Sequence, residues 1–373
     1  MNAAPQTVPP WRDRRSWLFP LGLWAATRAA LVFLGYLSLS LVPHLVKPGG
    51  SPGLHRWPAL DALCRWDCGW FDLLARRGYR SAMETNFWPG LSVTIRFLAD
   101  TVHLPIEIGV LLVPNLACLG AYLVIYRLFW EHDGRDVART SLVTFAAFPF
   151  AFFHASGYPE TIMIFFSALA VLLALRRHHL LAGIALGLGV LSRHLTLLMG
   201  GGLLAAQLQQ RGVRGFFRAP LALLGLAMPF LAVAVYAVYC ARAWGDPFSF
   251  WKARNAWGAT AWWSVVEVFR HLDTRPHIAL FVVFALLPTA GAIAFLVQRR
   301  AAVLAATVIP LIAVLWLIGA FGLGRYAASC WPAFLPVGGW LERHPAYRAP
   351  LLIILAVGQG GFFFLHTHHY EIQ

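Results

Sequence analysis

Residues 60–79, LDALCRWDCGWFDLLARRGY, concentrate three carboxylates and three guanidinium groups in one short stretch. Leu60, Leu63, Trp70, Phe71 and Leu74 recur at helical spacing, which predicts an amphipathic helix carrying them on one apolar stripe. Asp61 and Arg65 are spaced i,i+4 on the other face, as are Asp72 and Arg76, so each acid can pair locally. Asp67 falls within the apolar stripe and has no such neighbour. A carboxylate turned toward apolar surface is unfavourable unless compensated, and such a group suits a general base. The alternative is structural: Asp67 pairs with an arginine from another segment, such as Arg28 or Arg193, and locks the loop.

Four further places carry charge where charge is expensive. Arg28 sits midway along the first long apolar run, so it faces either a donor phosphate or Asp67, or else an interhelical salt-bridge partner. Arg193 lies in Ser192-Arg193-His194, which breaks an apolar hairpin. A chain break exposes backbone donors beside the guanidinium and suits a phosphate, with His194 assisting or simply hydrogen-bonded. Glu160 follows Tyr158-Pro159 at the start of an apolar segment, where an acid either completes a site or favours the helix dipole. Arg325-Tyr326 follows Gly322-Leu323-Gly324 and either clamps a phosphate or anchors the chain at the membrane interface.

These residues sit in a chain that belongs in lipid. It is 59% hydrophobic and 12% charged, with mean hydropathy +0.64, too little polar surface for a soluble fold. Apolar segments at 17–42, 105–128, 139–156, 160–176, 180–209 (the broken hairpin), 219–243, 278–298, 301–320, 326–341 and 349–367 predict an all-α bundle of about eleven transmembrane helices. One domain covers the whole chain. Arg12, Arg14 and Arg15 precede the first segment without a small-residue cleavage site, so that segment reads as an uncleaved span with a cytoplasmic N-terminus. The basic loops 127–139, 176–179, 211–218, 298–300 and 342–348 then fall inside. Two long loops face outward: 43–104, within which 88–101 is an interfacial or re-entrant helix, and 244–277. The first outer loop also carries Lys47, Arg56 and Arg80, a basic surface that would attract an anionic ligand. Gly183 and Gly187 are four apart and permit close helix packing.

Several functions are disfavoured. The formal charge is +14, but the basic residues are scattered between apolar spans, which argues against nucleic acid. Lysine occurs only at Lys47 and Lys252; the bias toward arginine fits a GC-rich bacterial gene and supplies planar forks for phosphate. The five cysteines form no CxxC pair, so no zinc or redox motif is expected, and a Cys64–Cys68 disulfide one helical turn apart is disfavoured. His366, His368 and His369 lack an acid or cysteine to complete a metal set and read as a frayed tail. No cofactor is called for, and without a nucleotide-binding glycine motif an activated sugar would have to arrive on a lipid.

The order of short motifs resembles one family. Arg65-Trp66-Asp67-Cys68-Gly69-Trp70-Phe71-Asp72 through Gly78-Tyr79 is similar to the W-D-x-x-[WY]-[FY]-x-x-I-A-x-x-G-Y run of the class V GPI mannosyltransferases and their bacterial relatives. Asn86-Phe87-Trp88-Pro89 resembles their A-F-F-P. Phe148-Pro149 with Tyr158-Pro159-Glu160-Thr161 resembles F-P followed by Y-T-E-S, and Leu191-Ser192-Arg193 resembles L-[TS]-R. Gly245-Asp246-Pro247-Phe248 with Trp257-Gly258 resembles G-D-P-L and W-G, and Arg325-Tyr326 the late R-[FY]. The match runs in order from about residue 24 to 340. Departures are Gly90-Leu91-Ser92 for L-Y-P and His194-Leu195-Thr196 for S-N-G, which bear on acceptor contacts.

The resemblance implies a GT-C membrane glycosyltransferase that takes mannose from polyprenyl-phosphate-mannose to a glycan or glycolipid acceptor with inversion. Its active site would face the exterior or periplasm of a bacterial inner membrane. It implies a catalytic role for Asp67 and site roles for Glu160 and Arg193; joined with the residue placement above, the expected site is Asp67 and Glu160 as catalytic groups, Arg193, Arg325 and Arg28 at the donor phosphate, and Trp66, Trp70, Tyr158, His194 and Tyr326 at the substrate. A bacterium makes no GPI anchor, so the acceptor does not follow from the family name. A lipid-linked sugar flippase would need matched broken helices in two halves, and only one broken hairpin is visible. A non-catalytic subunit of a transferase complex is the third reading.

Overall fold

A computed structural model describes residues 11–42, 50–256, 276–298, 301–318 and 322–368. Lys47, Trp257-Gly258, Arg299, Arg300, His369 and most of the loop 244–277 lie outside the described residues. Among the described residues, five helices are long and apolar enough to cross a bilayer: α1 (Leu18–Leu41), α5 (Ile106–Asp133), α10 (Pro220–Trp244), α12 (Pro276–Gln298, apolar over Ala279–Gln298) and α16 (Pro345–Thr367). Three shorter apolar helices accompany them: α7 (Glu160–Leu175), α8 (His179–Ser192) and α13 (Ala302–Ile318). The chain is therefore a multi-pass, all-helical integral membrane protein.

Proline shortens two of the remaining expected segments. The segment expected over 139–156 forms α6 (Arg135–Ala147) and stops because Phe148, preceding Pro149, is extended (ψ 139°). The one expected over 326–341 divides into α14 (Leu323–Ala327) and α15 (Phe334–Arg343), separated by a 3-10 turn containing Pro332. The hairpin breaks at the expected place: α8 ends at Ser192, Arg193 is extended, and a 3-10 segment leads into α9 (Gly201–Phe217). Close packing at its glycines is realised, since a Cβ on Gly183 would lie 1.8 Å from the Gly225 carbonyl oxygen of α10.

The first outer loop departs from the expected continuous helix. It forms α2 (Pro58–Asp61) and α3 (Asp67–Arg77), and between them Trp66 adopts a left-handed backbone (φ 53°) that ends one helical run and starts the next. This kink brings the Cys64 and Cys68 Cα atoms to 5.2 Å, and the two form a disulfide. The sequence-based objection to that bond assumed an unbroken helix, which the kink removes. The expected local pairs do form, Arg65–Asp61 at 2.7 Å and Arg76–Asp72 at 2.8 Å. α4 (Pro89–Val102) then packs on α3, α5 and α8, followed late in the chain by α11 (Ser249–Ala256) against residues 82–86.

Because α5 rises 1.5 Å per residue, Glu107 and Glu131 stand about 36 Å apart on opposite ends of the bundle. Glu107 pairs with Arg76 of the first loop, and Glu131 with Arg127 and Arg176. Successive reversals thus gather the first loop, the start of α7, the end of α8 and α14 at one end. The other end collects basic residues.

Candidate active site

Four motif segments meet at that first end. Asp67 opens α3, Glu160 opens α7, Arg193 ends α8, and Arg325-Tyr326 lie in the short α14. Asp67 Oδ2 lies 2.8 Å from Arg325 Nη1. Arg325 Nε lies 3.1 Å from Glu160 Oε1, and Arg193 Nη1 lies 3.0 Å from the same oxygen. Arg193 Nη2 donates to the Tyr326 hydroxyl at 2.6 Å. The result is a chain of alternating charge, Asp67–Arg325–Glu160–Arg193, ending on a phenol.

The expectation of an unneutralised Asp67 is corrected by its bond to Arg325, and the partner is neither Arg28 nor Arg193. Its side chain is 23% exposed against 1% for Glu160, so Asp67 is the open end of the network and Glu160 its buried hub. Oδ1 of Asp67 makes no bond to any described residue, and Oε2 of Glu160 is buried without a partner among them. Burial opposes the charge of Arg325, but Glu160, Tyr326 and Asp67 outweigh it and hold the guanidinium well above its ordinary pKa.

The aromatic residues form the floor. The Arg325 guanidinium carbon lies 5.4 Å from the Tyr158 ring, 5.4 Å from Tyr326 and 5.7 Å from Phe153. Tyr158 is fully buried, and its hydroxyl donates to the Arg65 carbonyl at 3.0 Å, which ties the start of α7 to the turn before Asp67. Gly157 completes that junction: its N–H donates to the Leu63 carbonyl at 3.1 Å, and a Cβ there would lie 2.3 Å from Cys68 Sγ. Gly90, where the resembled family has a leucine, starts α4 against the end of α8. A Cβ on it would fall 2.7 Å from the Ser192 backbone, next to Arg193.

Other expected site residues take different places. Trp66 forms the left-handed turn itself. Trp70 stacks on Phe87 with centroids 5.4 Å apart, on the next turn of α3 from Asp67. His194 packs against Trp88 at 5.6 Å. Burial, then the nearby Arg193 and Arg254, push its pKa down to about 3, which favours the neutral imidazole. Arg28 is bonded elsewhere: its Nε donates to Asn115 Oδ1 at 2.9 Å, one Nη2 contact is Cys118 Sγ at 2.9 Å, and another is the His154 carbonyl. It makes no ion pair among the described residues, so neither the interhelical salt bridge nor the pairing with Asp67 expected for it is formed. The expected frayed histidine tail is also corrected, since His366 and His368 are buried at the end of α16, His366 against Phe152, Phe153 and Tyr158.

Sequence reasoning missed Phe153 and the role of Glu160 as the group shared by both arginines. The motif Tyr158-Pro159-Glu160 flagged the position, but nothing local names partners 33 and 165 residues further along the chain.

No family profile and no curated protein matches the sequence. Among solved structures, the chain is similar to an oligosaccharyltransferase from Archaeoglobus fulgidus. That protein tethered to an acceptor peptide containing the NVT sequon gives a TM-score of 0.50 at 14% identity, over 95% of this chain and 55% of that one. The likeness is one of fold. The apo form of the same enzyme gives 0.50 at 14% identity, over 96% of this chain and 57% of that one. The chain thus spans about half the length of these structures and shares the fold of that part.

Proposed function

We propose that the protein is a membrane glycosyltransferase that moves a mannosyl residue from polyprenyl-phosphate-mannose to a glycan or glycolipid acceptor at the outer face of the membrane, with inversion. The observation that carries this reading is the convergence of four separate motifs, around Asp67, Glu160, Arg193 and Arg325, into one network linked by contacts of 2.8–3.1 Å. A bundle has no need to bury Glu160 and Arg325 and to gather Asp67 and Arg193 around them for stability, because apolar side chains of similar volume would serve as well or better. The shared fold with an archaeal oligosaccharyltransferase adds support for glycosyl transfer in general. Mannose itself rests on the family resemblance.

In this mechanism the donor phosphate sits beside Arg193 and Arg325, whose charge stabilises the leaving polyprenyl phosphate. Arg325 holds Asp67 by Oδ2, leaving Oδ1 to take the proton of the acceptor hydroxyl. The acceptor oxygen forms its bond to C1 of the sugar while the bond from C1 to the phosphate oxygen breaks on the opposite face. A single displacement inverts the anomeric centre. Glu160 and Tyr326 fix the two arginines; Tyr158 is their aromatic support.

Purified protein supplied with polyprenyl-phosphate-mannose and a panel of glycan and glycolipid acceptors tests the proposal. Transfer, or slow hydrolysis of the donor, is expected. Asp67→Asn preserves shape and removes the base, so turnover falls by about 10²–10⁴-fold. Wild-type turnover in a correctly folded Asp67→Asn protein refutes the assignment, and movement of donor across the membrane without bond cleavage refutes the transferase.

A further inference from the structure

The end of the bundle opposite Asp67 contains a second cluster that the proposed reaction does not use. Where α1, α5 and α6 meet, Arg139 lies with its guanidinium carbon 5.3 Å from the Phe19 ring, and Phe19 lies 5.3 Å from Tyr126. Tyr126 meets Trp130 at 5.4 Å, and Arg135 caps Trp130 at 5.9 Å. These contacts form one continuous path.

Every polar member of that path has an unmet hydrogen bond. The Tyr126 hydroxyl, Trp130 Nε1, Arg135 Nε and Arg139 Nε are all buried with no partner among the described residues. Tyr126 is 0% and Trp130 5% exposed, so these two donors are deep in the packing. Native proteins satisfy nearly all such atoms, and four in one place mark a missing acceptor. The neighbouring acids do not supply it. Glu131 is taken by Arg127 and Arg176, Asp133 by His132, Glu342 by Arg348 and Thr140, and Asp13 caps the Arg15 N–H, while Asp136 is exposed and makes no ion pair among the described residues. Arg135 and Arg139, one helical turn apart on α6, make no ion pair among the described residues.

We propose that this cluster of unpartnered donors, where α1, α5 and α6 meet, binds the phosphodiester headgroup of an anionic phospholipid, in the leaflet opposite the Asp67 site. A phosphodiester offers acceptor oxygens to all four donors and one negative charge to two guanidinium groups. The aromatic rings of Phe19, Tyr126 and Trp130 supply the amphipathic contact that glycerol and the first acyl carbons need. Basic sites between transmembrane helices at a membrane boundary take such headgroups, and a compact soluble anion would make no use of the aromatic members of the cluster.

Delipidated protein in mild detergent is titrated with phosphatidylglycerol or phosphatidylcholine, and bound lipid is counted by native mass spectrometry. Phosphatidylglycerol is expected to be retained over phosphatidylcholine. The double variant Arg135→Gln, Arg139→Gln is expected to bind it about tenfold more weakly, a change of about 1.4 kcal/mol. Arg211→Gln with Arg214→Gln, on α9 at the same end, should leave retention unchanged. Tyr126→Phe removes only the hydroxyl and keeps the ring, and is expected to weaken binding several-fold without lowering the unfolding temperature, which keeps the test open should the double variant fold poorly. Equal retention of both lipids, no loss in either cluster variant, or equal loss in the α9 control overturns the proposal. Displacement of the lipid by millimolar inorganic phosphate, but not by sodium chloride of matched ionic strength, would make it a free-anion site and overturn the lipid assignment.

Discussion

Glu160→Gln is the most informative single change, because one oxygen of Glu160 faces both arginines. Oε1 lies 3.0 Å from Arg193 Nη1 and 3.1 Å from Arg325 Nε, so the two guanidinium groups stand within about 6 Å of one another. Without the carboxylate charge, their repulsion at that distance is about 3 kcal/mol at an effective dielectric of ~20. Breaking a buried ion pair by removing one partner costs about 3–5 kcal/mol for the same reason, an uncompensated buried charge. Glu160→Gln is nearly isosteric, so cavity formation adds little. Thermal unfolding in detergent, followed by circular dichroism, should show a loss of this size. Adding Arg193→Gln removes the excess positive charge, and the double variant should recover about 1–3 kcal/mol relative to the sum of the two single changes. Wild-type stability in Glu160→Gln, or strict additivity in the double variant, would refute the reasoning that Glu160 is the charge shared by both arginines.

Replacing Cys64 and Cys68 by serine removes a short cross-link around the turn that presents Asp67; stability should drop by about 2 kcal/mol and turnover should fall, checked by parallel unfolding and transfer assays. At Glu84, burial opposes the charged form, but hydrogen bonds from Arg77 and the Arg80 N–H prevail and lower its pKa below the usual 4.5. The folded value lies below the unfolded one, so this contribution is fully present above about pH 4.5 and disappears as the pH falls through the folded pKa. Unfolding curves for wild type and Glu84→Gln should therefore differ at pH 7 and converge in acid. Gly90→Leu forces side-chain atoms into the Ser192 backbone; it should cost at least about 1–3 kcal/mol and depress activity by displacing Arg193, and an unchanged melting temperature would contradict the packing described.

Much of the architecture was legible because it is written in local patterns. Hydropathy over helix-length windows located the five long spans and the three shorter apolar helices, since a bilayer-crossing backbone must satisfy its own hydrogen bonds within the segment. The break at Ser192-Arg193-His194 interrupts the apolar run and could be placed the same way. So could the Asp61–Arg65 and Asp72–Arg76 pairs, because i,i+4 neighbours meet whatever the rest of the chain does. Collinear motifs pointed to Asp67, Glu160, Arg193 and Arg325 as positions that matter.

Tertiary structure alone decided what those residues do to each other. Asp67 and Arg325 are 258 residues apart, and only the packing of α3, α7 and α14 brings them to 2.8 Å. The left-handed turn at Trp66 removed the helix that sequence periodicity predicted, and with it the objection to the Cys64–Cys68 bond. Arg28, singled out as an intramembrane charge, found carbonyl, amide and thiol partners in place of an acid. The division has one physical cause: periodicity records which face of a segment is apolar, whereas the identity of a charge's partner depends on which segments the fold sets side by side, and no local pattern encodes that.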